Sequence, residues 1–130
     1  MTDRVKTYPW PKAEQHDVFE VLSFAEGTLM EGRVGIDLFH VASGQRSAIH
    51  AHEHSDTLVI ALKGKGIVII DDVEFPFVGS RDILWFDKGV YHGVVTAKIG
   101  LYALSVQIPG IKMRDKDGNV KVDLVPMQSK

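Results

Sequence analysis

An all-β sandwich or barrel is predicted for this chain on three observations. Between residues 17 and 110 no segment keeps a helical hydrophobic period over three turns. Short runs rich in Val, Ile, Leu and Phe recur there instead, broken about every eight to twelve residues by Gly- and Asp-containing turns, the spacing of all-β domains. The chain has 130 residues, of which 45% are hydrophobic and 25% charged. That suits one domain with a real core and argues against disorder.

Taken in order, residues 1–16 are polar and carry Pro9 and Pro11 around Trp10, so they read as an extended arm. Asp17 to Phe24 has strand composition and stops before Gly27; Thr28 to Arg33 and Val34 to Val41 read as two further strands. Leu58 to Leu62 is apolar on both faces of a strand and calls for cover on both sides, from a second sheet or a second subunit. Lys63-Gly64-Lys65-Gly66 predicts a hairpin turn between that strand and Ile67 to Ile70. Asp71-Asp72 turns into Val73 to Val78, where Pro76 points to an edge strand. Ile83 to Phe86, Tyr91 to Val95 and Leu101 to Ile108 complete the domain, which spans 17–110. The charged extension 111–130 is expected to form a small hairpin turning at Asp117-Gly118-Asn119; its carboxylates lack the spacing of an EF-hand loop.

Composition also narrows the function. Fifteen basic against seventeen acidic side chains leave no basic excess for nucleic acid or an anionic membrane. With no cysteine, disulfides, thiolate metal sites and cysteine nucleophiles are excluded. The first residues lack the apolar run of a signal peptide, so a cytoplasmic location is expected, with no membrane or nucleic-acid partner.

The chemistry concentrates in Ala48 to Thr57, where His50, His52 and His54 stand at alternate positions. Residues two apart on a strand share a face, so His50 and His52 point together. Two neutral imidazoles side by side form an edge for a divalent transition metal, whether Fe, Mn, Ni, Zn or Cu. Tyr91-His92, in a second turn-rich stretch, is the candidate source of another ligand.

These residues resemble the cupin family. Its first motif places a glycine, a His-x-His pair, a glutamate and a second glycine in order. Gly44, His50, His52 and Gly64 occupy those places, with Thr57 where the glutamate belongs. In the second motif Gly89 and His92 match, while Arg81, Asp87 and Thr96 stand in place of the first glycine, the proline and the asparagine. The resemblance implies a jelly-roll β-barrel, a metal held inside it by His50, His52 and His92, and a homodimer. The substituted glutamate leaves three arrangements open: a three-His site, a site joined by Asp56, or one joined by His54. The turn expected at residues 53–56 is where strand alternation fails.

The function implied is that of a metal-dependent small-molecule enzyme of dioxygenase type. Iron, copper or nickel would support oxygenation, zinc only Lewis-acid or hydrolytic chemistry. Two alternatives stand beside it. One is a non-catalytic barrel that binds or senses a small ligand. The other is a metal-free epimerase or isomerase with a histidine base and Tyr91 as acid. Tyr91, Trp85 and Tyr102 are candidates for a pocket mouth, His54 for a solvated turn, and His16 and His40 carry no assignment.

Overall fold

The computed structural model describes residues 4–127; the first three residues of the arm and the last three of the extension lie outside them. No α-helix occurs among the described residues. In chain order the strands are β1 (Glu14–His16), β2 (Phe19–Ser23), β3 (Gly35–Val41), β4 (His50–Ala51), β5 (Asp56–Ile70) and β6 (Val73–Val78). They continue as β7 (Ile83–Phe86), β8 (His92–Val95), β9 (Leu101–Ile108), β10 (Lys112–Arg114), β11 (Val120–Val122) and β12 (Val125–Pro126).

Every pairing is antiparallel, and two sheets share one long strand. The order β1-β2-β3-β9-β5-β7 makes one wall and β12-β4-β8-β5-β6 the other. β5 pairs with β9 and β7 through its first half and with β8 and β6 through its second. The core fills one end of the space between the walls, around Val41, Val59, Ala61, Val68, Phe77, Phe86, Val94, Leu101 and Ala103. The opposite end stays open as a cavity.

Three expectations are corrected. The hairpin at Lys63 to Gly66 does not form, and β5 runs straight through it with only a bulge between Ala61 and Lys63. Gly64 has a positive φ of 81°. It serves the close approach of β9, since a Cβ there would overlap the Gly100 carbonyl. A glycine pair that reads as a reversal is here a bend that carries one strand from sheet to sheet. The chain reverses instead at Asp71 and Asp72, both at positive φ (48° and 66°), as a two-residue hairpin of the primed type requires.

Thr28 to Arg33 is not a strand. Gly27 and Gly32 both adopt positive φ, and successive turns close from Thr28 N to Ala25 O, Glu31 N to Thr28 O and Arg33 N to Met30 O. Thr28 Oγ1 also donates to Ala25 O, the competition by which short polar side chains favour turns over strands. The arm, finally, ends in β1, which pairs with β2 around Asp17 at a φ of 53°.

Strand alternation on β5 divides the apolar run. Thr57, Val59 and Ala61 are buried inside. Leu58, Ile60 and Leu62 face outward, beside Ile83 and Trp85 of β7 and Leu104 and Val106 of β9. Within one chain this outer face is uncovered: Ile83 is 61% exposed and Trp85 54%.

Candidate metal centre

His50 and His92 sit opposite one another as register partners on β4 and β8, and His52 follows directly after β4. The three rings converge, with centroids 4.5 Å apart for His50–His92, 5.1 Å for His50–His52 and 5.0 Å for His52–His92. One ring nitrogen from each lies within 4.8 Å of the others. The second nitrogens are already used. His52 Nδ1 donates to the Asp123 carbonyl at 2.7 Å and His92 Nδ1 to the Val90 carbonyl at 3.0 Å. His50 is hydrogen-bonded to the backbone of Ala48. Backbone carbonyls thus fix the tautomers of His52 and His92, leaving Nε2 as the free lone pair, as metal-binding imidazoles require.

Burial keeps the rings neutral. Desolvation, reinforced by the charge of neighbouring His50 and His52, pulls His92 down to about 3. Desolvation, with the charge of His52, pulls His50 down to about 4. His52 is lowered by desolvation too, opposed by its bond to Asp123. Three uncharged, oriented nitrogen donors fit a divalent transition metal by donor type, number and spacing.

These shifts also predict an acid response. An unfolded histidine titrates near pH 6.5, so below that pH the unfolded chain binds protons that folded His50 and His92 refuse. Stability of the metal-free protein should therefore be complete above about pH 6.5 and fall toward pH 4, by at most about 1.4 kcal/mol per pH unit for each histidine. Urea unfolding at intervals from pH 7 to 5 measures it in a range where most carboxylates stay ionised. A midpoint that does not move over that range would contradict neutral burial. Proton competition for a bound metal, expected below pH 6.5 for ordinary histidines, moves down in the same way.

The remaining sequence candidates are placed as follows. Thr57 lines the cavity, 1% exposed, with Oγ1 lacking a hydrogen-bond partner. Asp56 is not brought to the cluster: its Oδ1 accepts from Lys88 N at 2.9 Å, holding the loop before β8. His54 sits in the turn, with its side chain 72% exposed and 3.9 Å from Glu53. The Tyr91 side chain does not line the cavity. Trp85 and Tyr102 lie on the outer face, Tyr102 stacked on His40 at 4.2 Å, so neither forms a pocket mouth. His16, which carried no assignment, lines the cavity.

The cavity offers about 200 Å³. Its walls are apolar around the histidines, with Phe19, Val21, Phe39, Val59, Phe86 and Val94. Toward β3 and β9 they turn polar, with Asp37, Ser105, Gln107 and Lys112. Desolvation raises Asp37, opposed by hydrogen bonding from Ser23 and by the charge of Lys112. Lys112 Nζ pairs with Glu26 at 3.0 Å and bonds Ser23 Oγ at 3.2 Å. Val122 and Leu124 line the cavity from the C-terminal segment. Between them Asp123 clamps the histidine turn, its carboxylate accepting from Glu53 N and His54 N, each at 2.8 Å.

None of Asp37, Gln107 or Asp123 was singled out from the sequence. A signal for the first two existed: Asp37 interrupts an apolar strand, and Ser105 and Gln107 alternate with apolar residues in β9. Asp123 carried no signal, because its partners lie about 70 residues away.

Residues 37–99 match the family model described as Cupin domain. Solved structures share the fold. A Cupin 2 conserved barrel domain protein from Salinispora arenicola aligns with a TM-score of 0.67 at 19% identity, over 80% of this chain and 88% of that one. A predicted oxalate decarboxylase from Thermotoga maritima aligns at 0.66 and 18%, over 77% and 92%. A sugar phosphate isomerase of the cupin superfamily from Silicibacter pomeroyi aligns at 0.61 and 19%, over 81% and 76%. The comparison with curated protein sequences gave no match. A two-walled antiparallel barrel with paired-motif histidines inside it is a cupin barrel. The family match over residues 37–99 and the shared fold support a cupin-superfamily protein, with a three-histidine cluster positioned to bind a metal ion.

Proposed function

We propose that this cupin is a metal-dependent enzyme of dioxygenase type acting on a small organic molecule. The observation that carries this is the triad: three neutral imidazoles, anchored from behind by backbone carbonyls, aimed into an apolar cavity. His50, His52 and His92 would hold a redox-active divalent ion without cancelling its charge, and the ion would supply Lewis-acid and redox chemistry toward a small oxygenated molecule. The protein's own part is to keep the imidazoles deprotonated, to orient them, and to surround them with apolar side chains such as Phe19, Phe86 and Val94. The metal-free alternative is less well supported, because Tyr91, its proton donor, is not a cavity residue. The test is elemental analysis of untagged protein, followed by oxygen-electrode measurement of substrate-dependent O₂ uptake by the iron-loaded form. Metal content below about one-tenth per chain, or no O₂ uptake across a broad set of small oxygenated substrates, would overturn it.

We further propose a homodimer in solution, joined through the outer face of β5, β7 and β9. Leu58, Ile60, Ile83, Trp85, Leu104 and Val106 make that face apolar, and a second copy can cover it isologously. Sedimentation at micromolar concentration is expected to give twice the 14.4 kDa chain mass. The double variant I83K/W85E should sediment as a folded monomer. A wild-type species of 14.4 kDa would refute the dimer.

A further inference from the structure

The cavity wall formed by β5, β9 and β3 carries a row of three residues in register. Thr57 of β5 pairs with Gln107 of β9, which pairs with Gly35 of β3. Thr57 and Gln107 are 1% and 2% exposed, yet Thr57 Oγ1 and Gln107 Oε1 have no hydrogen-bond partner. Both side chains line the cavity. The Gln107 amide nitrogen donates to Ser105 Oγ at 2.5 Å and to the Asp37 carboxyl group, so the carboxamide presents only its acceptor oxygen. Room for that carboxamide is kept by Gly35, where a Cβ would overlap Oε1. Asp37, next along the inner face of β3, adds a carboxyl group to the same wall and is hydrogen-bonded by Gln107 and Ser23.

Buried polar atoms without partners are rare and costly in folded proteins, and where they persist something outside the fold is usually the partner. An apolar core residue at either position would have avoided that cost. An acceptor amide oxygen and a hydroxyl, both unpartnered on side chains that line the cavity, call for a ligand that carries a donor.

We propose that Thr57, Gln107 and Asp37 form a recognition wall that binds the hydrogen-bond-donating end, a hydroxyl or an amine, of a small substrate whose other end lies against the histidine triad. This deepens the metal-enzyme assignment above and rests on it for the position of the far end alone. Gln107 Oε1 and the Asp37 carboxyl group accept from the ligand, and the Thr57 hydroxyl accepts or donates as the ligand requires. Gln107 and Thr57 are specificity residues here, because a site built to bond a donor rejects the analogue that lacks it far more strongly than an apolar pocket rejects a lost methylene.

The test uses matched probes on the full chain, metal-free and zinc-loaded. The probes are catechols with a hydroxymethyl, 2-hydroxyethyl or 3-hydroxypropyl group at C4, each set against its methyl, ethyl or propyl counterpart. Calorimetry should give at least about tenfold tighter binding of the hydroxylated probe at one chain length. Q107M and T57V, which keep the side-chain volume and remove the polar atom, should reduce that ratio toward one. Their zinc affinity should stay within about threefold of wild type. Without ligand T57V should melt a few degrees higher than wild type, because an orphaned polar atom has been removed, whereas Q107M should not, because it also loses the bonds to Ser105 and Asp37. No discrimination at any chain length, in either form, would overturn the wall. So would discrimination that survives Q107M and T57V together. Discrimination in the metal-free protein combined with no zinc binding would leave the wall standing and overturn the metal assignment instead.

Discussion

Replacing His92 by alanine is expected to lower the affinity for a divalent ion at least about 10²-fold while the barrel stays folded. His92 lies on β8, opposite His50 on β4, with His52 beside it, so the three nitrogens approach one point from two chain segments. Two imidazoles from one segment cannot close the coordination of a first-row ion against water, and H50A and H52A should fall in the same range. The controls follow from where the other candidates lie. H54A should leave affinity unchanged, because that ring is 72% exposed in the turn. D56A should also leave affinity unchanged and cost stability instead, through the lost bond to Lys88 N. T57E should tighten binding, because Thr57 already lines the cavity and a carboxylate there adds a charged oxygen donor. T57A, which adds none, should change it little. Calorimetric titration of the metal-free variants with zinc measures the whole series. Wild-type affinity in H92A would end the two-segment site and most of the functional assignment with it.

The second large effect is expected far from the histidines in sequence. Asp123 holds the turn that carries His52 with three groups: its carbonyl on His52 Nδ1, and its two carboxylate oxygens on Glu53 N and His54 N. In D123A the carbonyl remains but loses the clamp that positions it, so His52 is free to rotate out of the triad. Loss of such outer-shell support typically costs about 10- to 100-fold in metal affinity, and zinc affinity should fall by that factor. The metal-free protein should also lose about 2 kcal/mol of stability, the scale of a bond to a charged group. D123N keeps one acceptor oxygen and should lie between D123A and wild type on both measures. If D123A lowers the melting temperature but leaves zinc affinity intact, Asp123 merely ties down the C-terminal segment. Affinity lost in proportion to stability across both variants would mark it as a positioning residue for His52.

Much of this site is legible in the amino-acid sequence. The triad is readable because its ligands are of a chemically distinctive type and two of them are neighbours at strand spacing. The break in the strand read from local composition is present at Glu53 and His54. It is shorter than the expected 53–56 because Asp56 already opens β5, where alternation turns it away from the inner face that Thr57 occupies. The fold class is readable for a similar reason: period, β-propensity and turn residues are local properties, and no helical pattern competes with them. Even where local signals are present they do not always decide the path. Gly64 and Gly66 look like a reversal, and only the approach of the Gly100 carbonyl turns that stretch into a bend within one long strand.

What the sequence by itself determined, then, was an all-β domain, a pair of histidines on one face, and a third histidine suited to join them. The tertiary structure alone decided which face of each strand is the inside. Alternation in β9 separates Ala103, Ser105 and Gln107 from Leu104, Val106 and Ile108, but in a strand it cannot tell core from solvent. Read alone, the polar set belongs outside. In the folded chain it points into the cavity with Asp37, and the apolar set forms the uncovered outer face. The inversion is physical: the inner face of β9 borders a cavity with polar groups on β3, and its apolar face lies on the uncovered outside. The clamp of Asp123 on His52 was equally out of reach, because a hydrogen bond across 71 residues leaves no local trace in either segment.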